Sequence, residues 1–151
     1  MNRRISASLL LSMVGIALVS GANNITDRVD SLPDCAPLPS AWYSGYLDLT
    51  PTKSLHYIFI ESLDQPSTDP VLIWFNGGPG CSSLLGLFQE NGPYVIDDGE
   101  KVIKPNPYPW NIRANLLYIE SPAGVGFSIA NTTDDLLHSD VSQSIDAFNA
   151  L

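Results

Sequence analysis

The sequence predicts an α/β fold, incomplete at its C-terminal side and entered through an antiparallel hairpin. Three observations predict it. Two short apolar runs, Val71-Leu72-Ile73-Trp74-Phe75 and Asn115-Leu116-Leu117-Tyr118-Ile119, suit strands buried on both faces, as in parallel sheets. The first run breaks into Asn76-Gly77-Gly78-Pro79-Gly80-Cys81-Ser82-Ser83 before a second apolar segment, which reads as strand, turn and helix. Near the end, Leu137, Val141, Ile145, Phe148 and Leu151 recur at helical spacing.

In chain order, residues 1–22 read as a secretory signal peptide. Arg3 and Arg4 precede an apolar stretch too short for a membrane span, and Val19-Ser20-Gly21-Ala22 offers small residues for cleavage. An uncleaved signal anchor is the competing reading of that segment. Residues 23–151 form one domain's worth of chain at most. From 23 to 40 the chain is polar and holds three prolines, so it reads as an extended arm. Residues 42–49 and 55–60 are rich in aromatic and aliphatic side chains around Thr50-Pro51-Thr52, a hairpin signature. Ser82 and Ser83 suit the cap of a short helix starting near Leu84, which Gly92-Pro93 ends. Residues 94–96 and 101–103 flank Asp97-Asp98-Gly99 as a second hairpin. Pro105, Pro107 and Pro109 argue against regular structure beyond it. The last helix is expected over 134–151, capped by Thr133 or Asp134. No strand follows that helix, although a crossover must return to its sheet, so the sequence is expected to stop in the middle of a fold.

The net charge of −9 and the absence of a basic run argue against nucleic-acid binding. Two histidines without nearby cysteines or paired carboxylates give no metal site. The glycine turn lacks the Gly-Lys-Ser/Thr ending of a phosphate loop, and no cofactor is expected. Asn24 and Asn131 begin N-glycosylation sequons, in keeping with a secreted chain. Cys35 and Cys81 are disulfide candidates in an oxidising compartment.

A glycine-rich turn between a strand and a helix aims backbone N–H groups at one point, where an oxyanion or a carboxylate is favoured. Residues Trp74 to Ser83 closely resemble the oxyanion-loop signature of the serine carboxypeptidases, secreted or vacuolar/lysosomal α/β-hydrolases. The stretch from Asn115 through Glu120-Ser121-Pro122-Ala123-Gly124-Val125-Gly126-Phe127-Ser128 resembles a second signature of that family. Trp42-Tyr43-Ser44-Gly45-Tyr46-Leu47 and Leu55-His56-Tyr57 resemble its early strands, in the same order. The resemblance implies the N-terminal part of an α/β-hydrolase sheet. It also implies an enzyme that releases C-terminal amino acids from peptides and proteins through an acyl-enzyme, without stable membrane association after signal cleavage. It gives Gly78 an oxyanion-donor role and Gly77 the shaping of the turn. Asn76 becomes the amide that binds the substrate's terminal carboxylate, with Trp74 and Glu90 in the hydrogen-bond network beneath it. It pairs Cys81 with a cysteine far downstream rather than with Cys35. Phe75 departs mildly from the family pattern, which has leucine there.

The catalytic triad is not expected within these residues. No Gly-x-Ser-x-Gly occurs. Ser121 imitates that motif, but Ile119 replaces its first glycine, and Pro122 has no N–H to offer an oxyanion. His56 and His138 do not occupy the family's histidine position and read as packing or surface residues. The chain therefore reads as the oxyanion- and carboxylate-binding part of a carboxypeptidase. A secreted non-catalytic binding module or pseudoenzyme, and an acyltransferase on the same scaffold, are the alternatives.

Overall fold

Alternating polar and apolar residues, with Pro51 at the bend, fold residues 42–60 back on themselves. The computed structural model describes residues 27–96, 99 and 102–151; the leader, Asn24 and most of the 97–101 tip lie outside them. β1 (Arg28–Val29) pairs with β2 (Trp42–Thr50), and β2 with β3 (Lys53–Ile60), both antiparallel. The β2–β3 register sets Tyr46 opposite His56 and Trp42 opposite Ile60. That register decides the site, because it brings Ser44 and His56 onto one face.

β4 (Val71–Trp74) enters the same sheet, followed by the glycine turn and a short helix with wide π-type turns, Gly86–Asn91. β5 (Tyr94–Ile96) and β6 (Ile103–Pro105) form a separate antiparallel pair. The second strand of that hairpin thus lies two residues later than expected, and Pro105 closes it. β7 (Asn115–Ile119) pairs antiparallel with β3 and parallel with β4. The segment between β4 and β7 is therefore the crossover that a parallel pair requires. β8 (Ile129–Ala130) adds to the far end of β3. The order across the sheet is β1-β2-β3-β7-β4.

Side chains on the two faces form two cores. Trp42, Ile60, Leu116 and Tyr118 meet Leu87 of the short helix and Tyr94 of β5 on one face. Leu55, Tyr57 and Ile119 meet Ala123 and Ala150 on the other. Successive residues of β7 divide between the two, as the pleat demands.

The expectation of burial for the first apolar run needs correction. Val71, Leu72 and Ile73 are 41–52 % exposed. β4 lies at the end of the strand order with β7 as its single neighbour among the described residues, so its outer flank is an open edge.

The last helix also differs. A short 3₁₀ turn, Asp134–Leu136, gives way to extended backbone, and α1 runs Asp140–Ala150. Ser139, with φ −139° and ψ 165°, caps it in a reciprocal capping box with Ser142. The stronger cap wins over Thr133 and Asp134. Leu137, Val141, Ile145 and Phe148 face solvent. α1 is tied down instead by Asp146, which accepts two hydrogen bonds from Lys53 Nζ on β3 at 2.8 and 2.9 Å.

Candidate active site

The glycine turn leaves β4 at the C-terminal end of a parallel strand, where open α/β sheets place their ligands. Gly78 has φ +140° and Gly80 φ +92°, backbone that side chains with a Cβ rarely adopt. A Cβ on Gly78 would also press to 3.0 Å from the amide nitrogens of Gly80 and Cys81. The turn is therefore tight and specific to glycine. It is exposed, and neither Gly77 nor Gly78 gives its N–H to a hydrogen bond among the described residues. Beside it opens a cleft of about 370 Å³, lined by Pro79 and Gly80 from the turn, by Pro122 to Val125, and by Leu136, His138 and Gln143.

Two side chains from the sequence-derived set meet here. Trp74 Nε1 donates to Asn76 Oδ1 at 3.1 Å. An indole N–H can only donate, so it must hold the amide oxygen and leave the Asn76 NH₂ free. The Trp74 ring stands edge-on to Trp110 at 5.8 Å. Gly86 packs directly on it: a Cβ there would come within 2.7 Å of Trp74 Cε2 and 2.9 Å of Cδ1. Gly86→Ala should push the short helix off the indole and destabilise the chain by about 1–3 kcal/mol. Denaturant melts read this loss, and a change in Trp fluorescence should accompany it.

Glu90 stays apart from this pair. It is exposed at the end of the short helix, and its backbone carbonyl accepts from Asn106 Nδ2 at 3.4 Å. Its charge, after burial, helps raise the pKa of the Tyr118 hydroxyl. That hydroxyl donates to Asn91 Oδ1 at 2.6 Å. Cys35 and Cys81 are free thiols, the first half-buried against the Trp42 core and the second exposed in the turn. Asn131 is exposed, with its backbone N–H on Thr52 O at 3.0 Å.

The serines after the turn do more than cap a helix. Ser83 is buried; its Oγ accepts from Asn76 N at 3.0 Å and donates to Ile119 O at 2.7 Å. It stitches the turn to the end of β7. Ser82 Oγ accepts from Leu84 N at 3.1 Å and donates to Glu120 Oε1.

Glu120 is the residue that the sequence reading passed over. It is 1 % exposed. His56 Nδ1 lies 3.0 Å from its Oε2, Phe127 N donates to the same oxygen at 2.8 Å, and Ser82 takes the other. Gly126, at φ +55°, lets the backbone come close enough for the Phe127 bond. Burial alone would raise the Glu120 pKa. The hydrogen bonds from His56, Ser82 and Phe127, with the His56 charge, outweigh it and hold the carboxyl below its usual range. An ionised carboxylate can only accept, so His56 carries its proton on Nδ1. Its Nε2 lies 2.9 Å from Ser44 Oγ. A carboxylate directly after a buried strand was the one available signal.

Neither histidine reaches Ser121. His56 bonds Ser44 and Glu120, and His138 Nε2 bonds Ala123 O at 3.1 Å. Among the described residues no cluster of histidine, cysteine and carboxylate side chains could hold a metal, and no helix is long and apolar enough to cross a membrane.

The family model for serine carboxypeptidase matches residues 33–151. The chain is 48 % identical over 128 residues to the lysosomal protective protein of Mus musculus, covering 84 % of this chain and 27 % of that one. It is 50 % identical over 104 residues to serine carboxypeptidase ctsa-3.1 of Caenorhabditis elegans, covering 68 % of this chain and 18 % of that one. The structure is similar to that of Kex1(Δ)p, a prohormone-processing carboxypeptidase of Saccharomyces cerevisiae. The TM-score is 0.52 at 28 % identity, over 66 % of this chain and 23 % of the other. The chain thus spans about a quarter or less of the length of these relatives.

Proposed function

The chain belongs to the serine carboxypeptidase family, and from that premise we propose that it carries the oxyanion- and carboxylate-binding part of an enzyme that releases C-terminal amino acids. The observation that carries this reading is the Trp74–Asn76 hydrogen bond. It fixes the side-chain amide of Asn76 with its donors free, next to a turn whose Gly77 and Gly78 N–H groups are also free. Such donors suit two anions of one substrate, the terminal carboxylate and the oxyanion of the tetrahedral intermediate. In this reading the nucleophilic serine, the acid and the base come from sequence outside residues 1–151, and the protein works in the secretory pathway, outside the cell or in a vacuole or lysosome. Proline after Ser121, and the lack of any bond from Ser121 to a histidine, support leaving that serine out of the chemistry.

A fluorophosphonate probe tests the division. It should leave the 151-residue chain unmodified. It should label a polypeptide that extends this chain through a Gly-x-Ser-x-Gly segment, and it should block that polypeptide's release of C-terminal residues from a peptide. Labelling of the short chain that vanishes in Ser121→Ala would overturn the assignment. Failure of the extended chain to release any C-terminal residue would overturn the activity.

A further inference from the structure

The hydrogen bonds around Glu120 run from the hairpin to Ser82, which follows the glycine turn and is covalently joined to Ser83. Ser44 Oγ on β2 meets His56 Nε2, His56 Nδ1 meets Glu120 Oε2, and Glu120 Oε1 accepts from Ser82 Oγ. Ser82 Oγ then receives Leu84 N, and its neighbour Ser83 receives Asn76 N. The backbone doubles the connection: Glu120 N donates to His56 O at 3.0 Å, and Ser128 Oγ bridges His56 N and Glu120 O at 2.8 and 2.6 Å. Tyr46 and Phe127 pack edge-on against the imidazole at 5.6 and 5.4 Å and limit its contact with water.

A buried carboxylate is a poor device for stability alone, because its desolvation offsets much of what its hydrogen bonds contribute. This one has a directional output. One carboxylate oxygen is held by the imidazole, and the other holds the first serine after the turn. We propose that His56 and Glu120 are positioning residues for the glycine turn, acting through Ser82 to set the orientation of the Asn76 amide and the Gly77–Gly78 N–H groups. What the turn binds rests on the function proposed above; the coupling itself does not.

The test uses the 151-residue chain and reads the hydrogen-exchange rate of the Asn76 backbone amide, which bonds Ser83 and none of the residues to be changed. Ser82→Ala and His56→Phe should each speed that exchange about tenfold or more, the effect of losing one hydrogen bond to a charged group. The double variant should be no faster than either single one, since both cut the same line. Ser82→Thr, which keeps the hydroxyl, should exchange like the wild type. Should His56→Phe not fold, Ser44→Ala takes its place by removing the imidazole's outer partner. Unchanged Asn76 exchange in Ser82→Ala, or single effects that multiply in the double variant, would reduce the pair to a brace for the hairpin. Because exchange needs no substrate, a lack of carboxypeptidase activity in the extended protein would leave this result standing, and the reverse holds too.

Discussion

Glu120→Ala should cost the folded chain about 3–5 kcal/mol, because it leaves several buried donors without their acceptor at about 1–3 kcal/mol each. That is a large share of the 5–15 kcal/mol by which whole domains are stable. The loss is high because three donors lose their acceptor together: His56 Nδ1, Ser82 Oγ and the Phe127 amide. Glu120→Gln keeps the shape and isolates the charge. Folding holds the Glu120 pKa below the ordinary carboxyl value of about 4.5, so the unfolded chain binds more protons near that pH, and stability rises with pH there. The contribution is complete above about 4.5 and disappears as pH falls through the lower folded value. Denaturant midpoints of wild type and Glu120→Gln should therefore stand well apart at neutral pH and converge in acid. Asp69 and Asp135 are lowered as well, but both proteins share them and they cancel in the difference. A gap that does not change with pH would mean that the carboxylate charge contributes nothing.

The strands of this fold were legible because their residues state a period. β2, β3, β5 and β7 lie where alternation or apolar runs put them. Burial was less legible. Val71, Leu72 and Ile73 have the composition of a covered strand, yet composition reports what a surface wants, not what lies beside it; among the described residues β4 has β7 as its single neighbour. The start of α1 was misread because Thr133 and Asp134 are plausible caps by residue type. The reciprocal Ser139–Ser142 box depends on backbone geometry that type alone does not reveal. At the site, Trp74, Asn76 and Gly78 could be found because they are contiguous. Glu120, His56 and Ser82 could not, because 38 and 64 positions separate the partners and only the β4–β7 and β3–β7 registers bring them together.

In a polypeptide that includes the triad, Asn76→Ala should lower kcat/KM about 10–100-fold. The change removes a donor to a charged group, worth about 1.5–3 kcal/mol, and that is the corresponding loss of transition-state stabilisation. The loss should be selective. Peptides with a free C-terminus should suffer in full, whereas amidated or ester analogues, which lack the carboxylate, should suffer much less. The structure adds a control. Asn76 also accepts from Trp74 Nε1, so alanine removes that anchor along with the donor. Asn76→Asp keeps an acceptor for the indole and sets a negative charge where the NH₂ stood. If the anchor is what matters, aspartate should work better than alanine. If the amide meets a carboxylate, aspartate should be the worse of the two, because it replaces attraction with repulsion. Equal losses on free-acid and amidated substrates, with aspartate outperforming alanine, would confine Asn76 to holding the turn in shape.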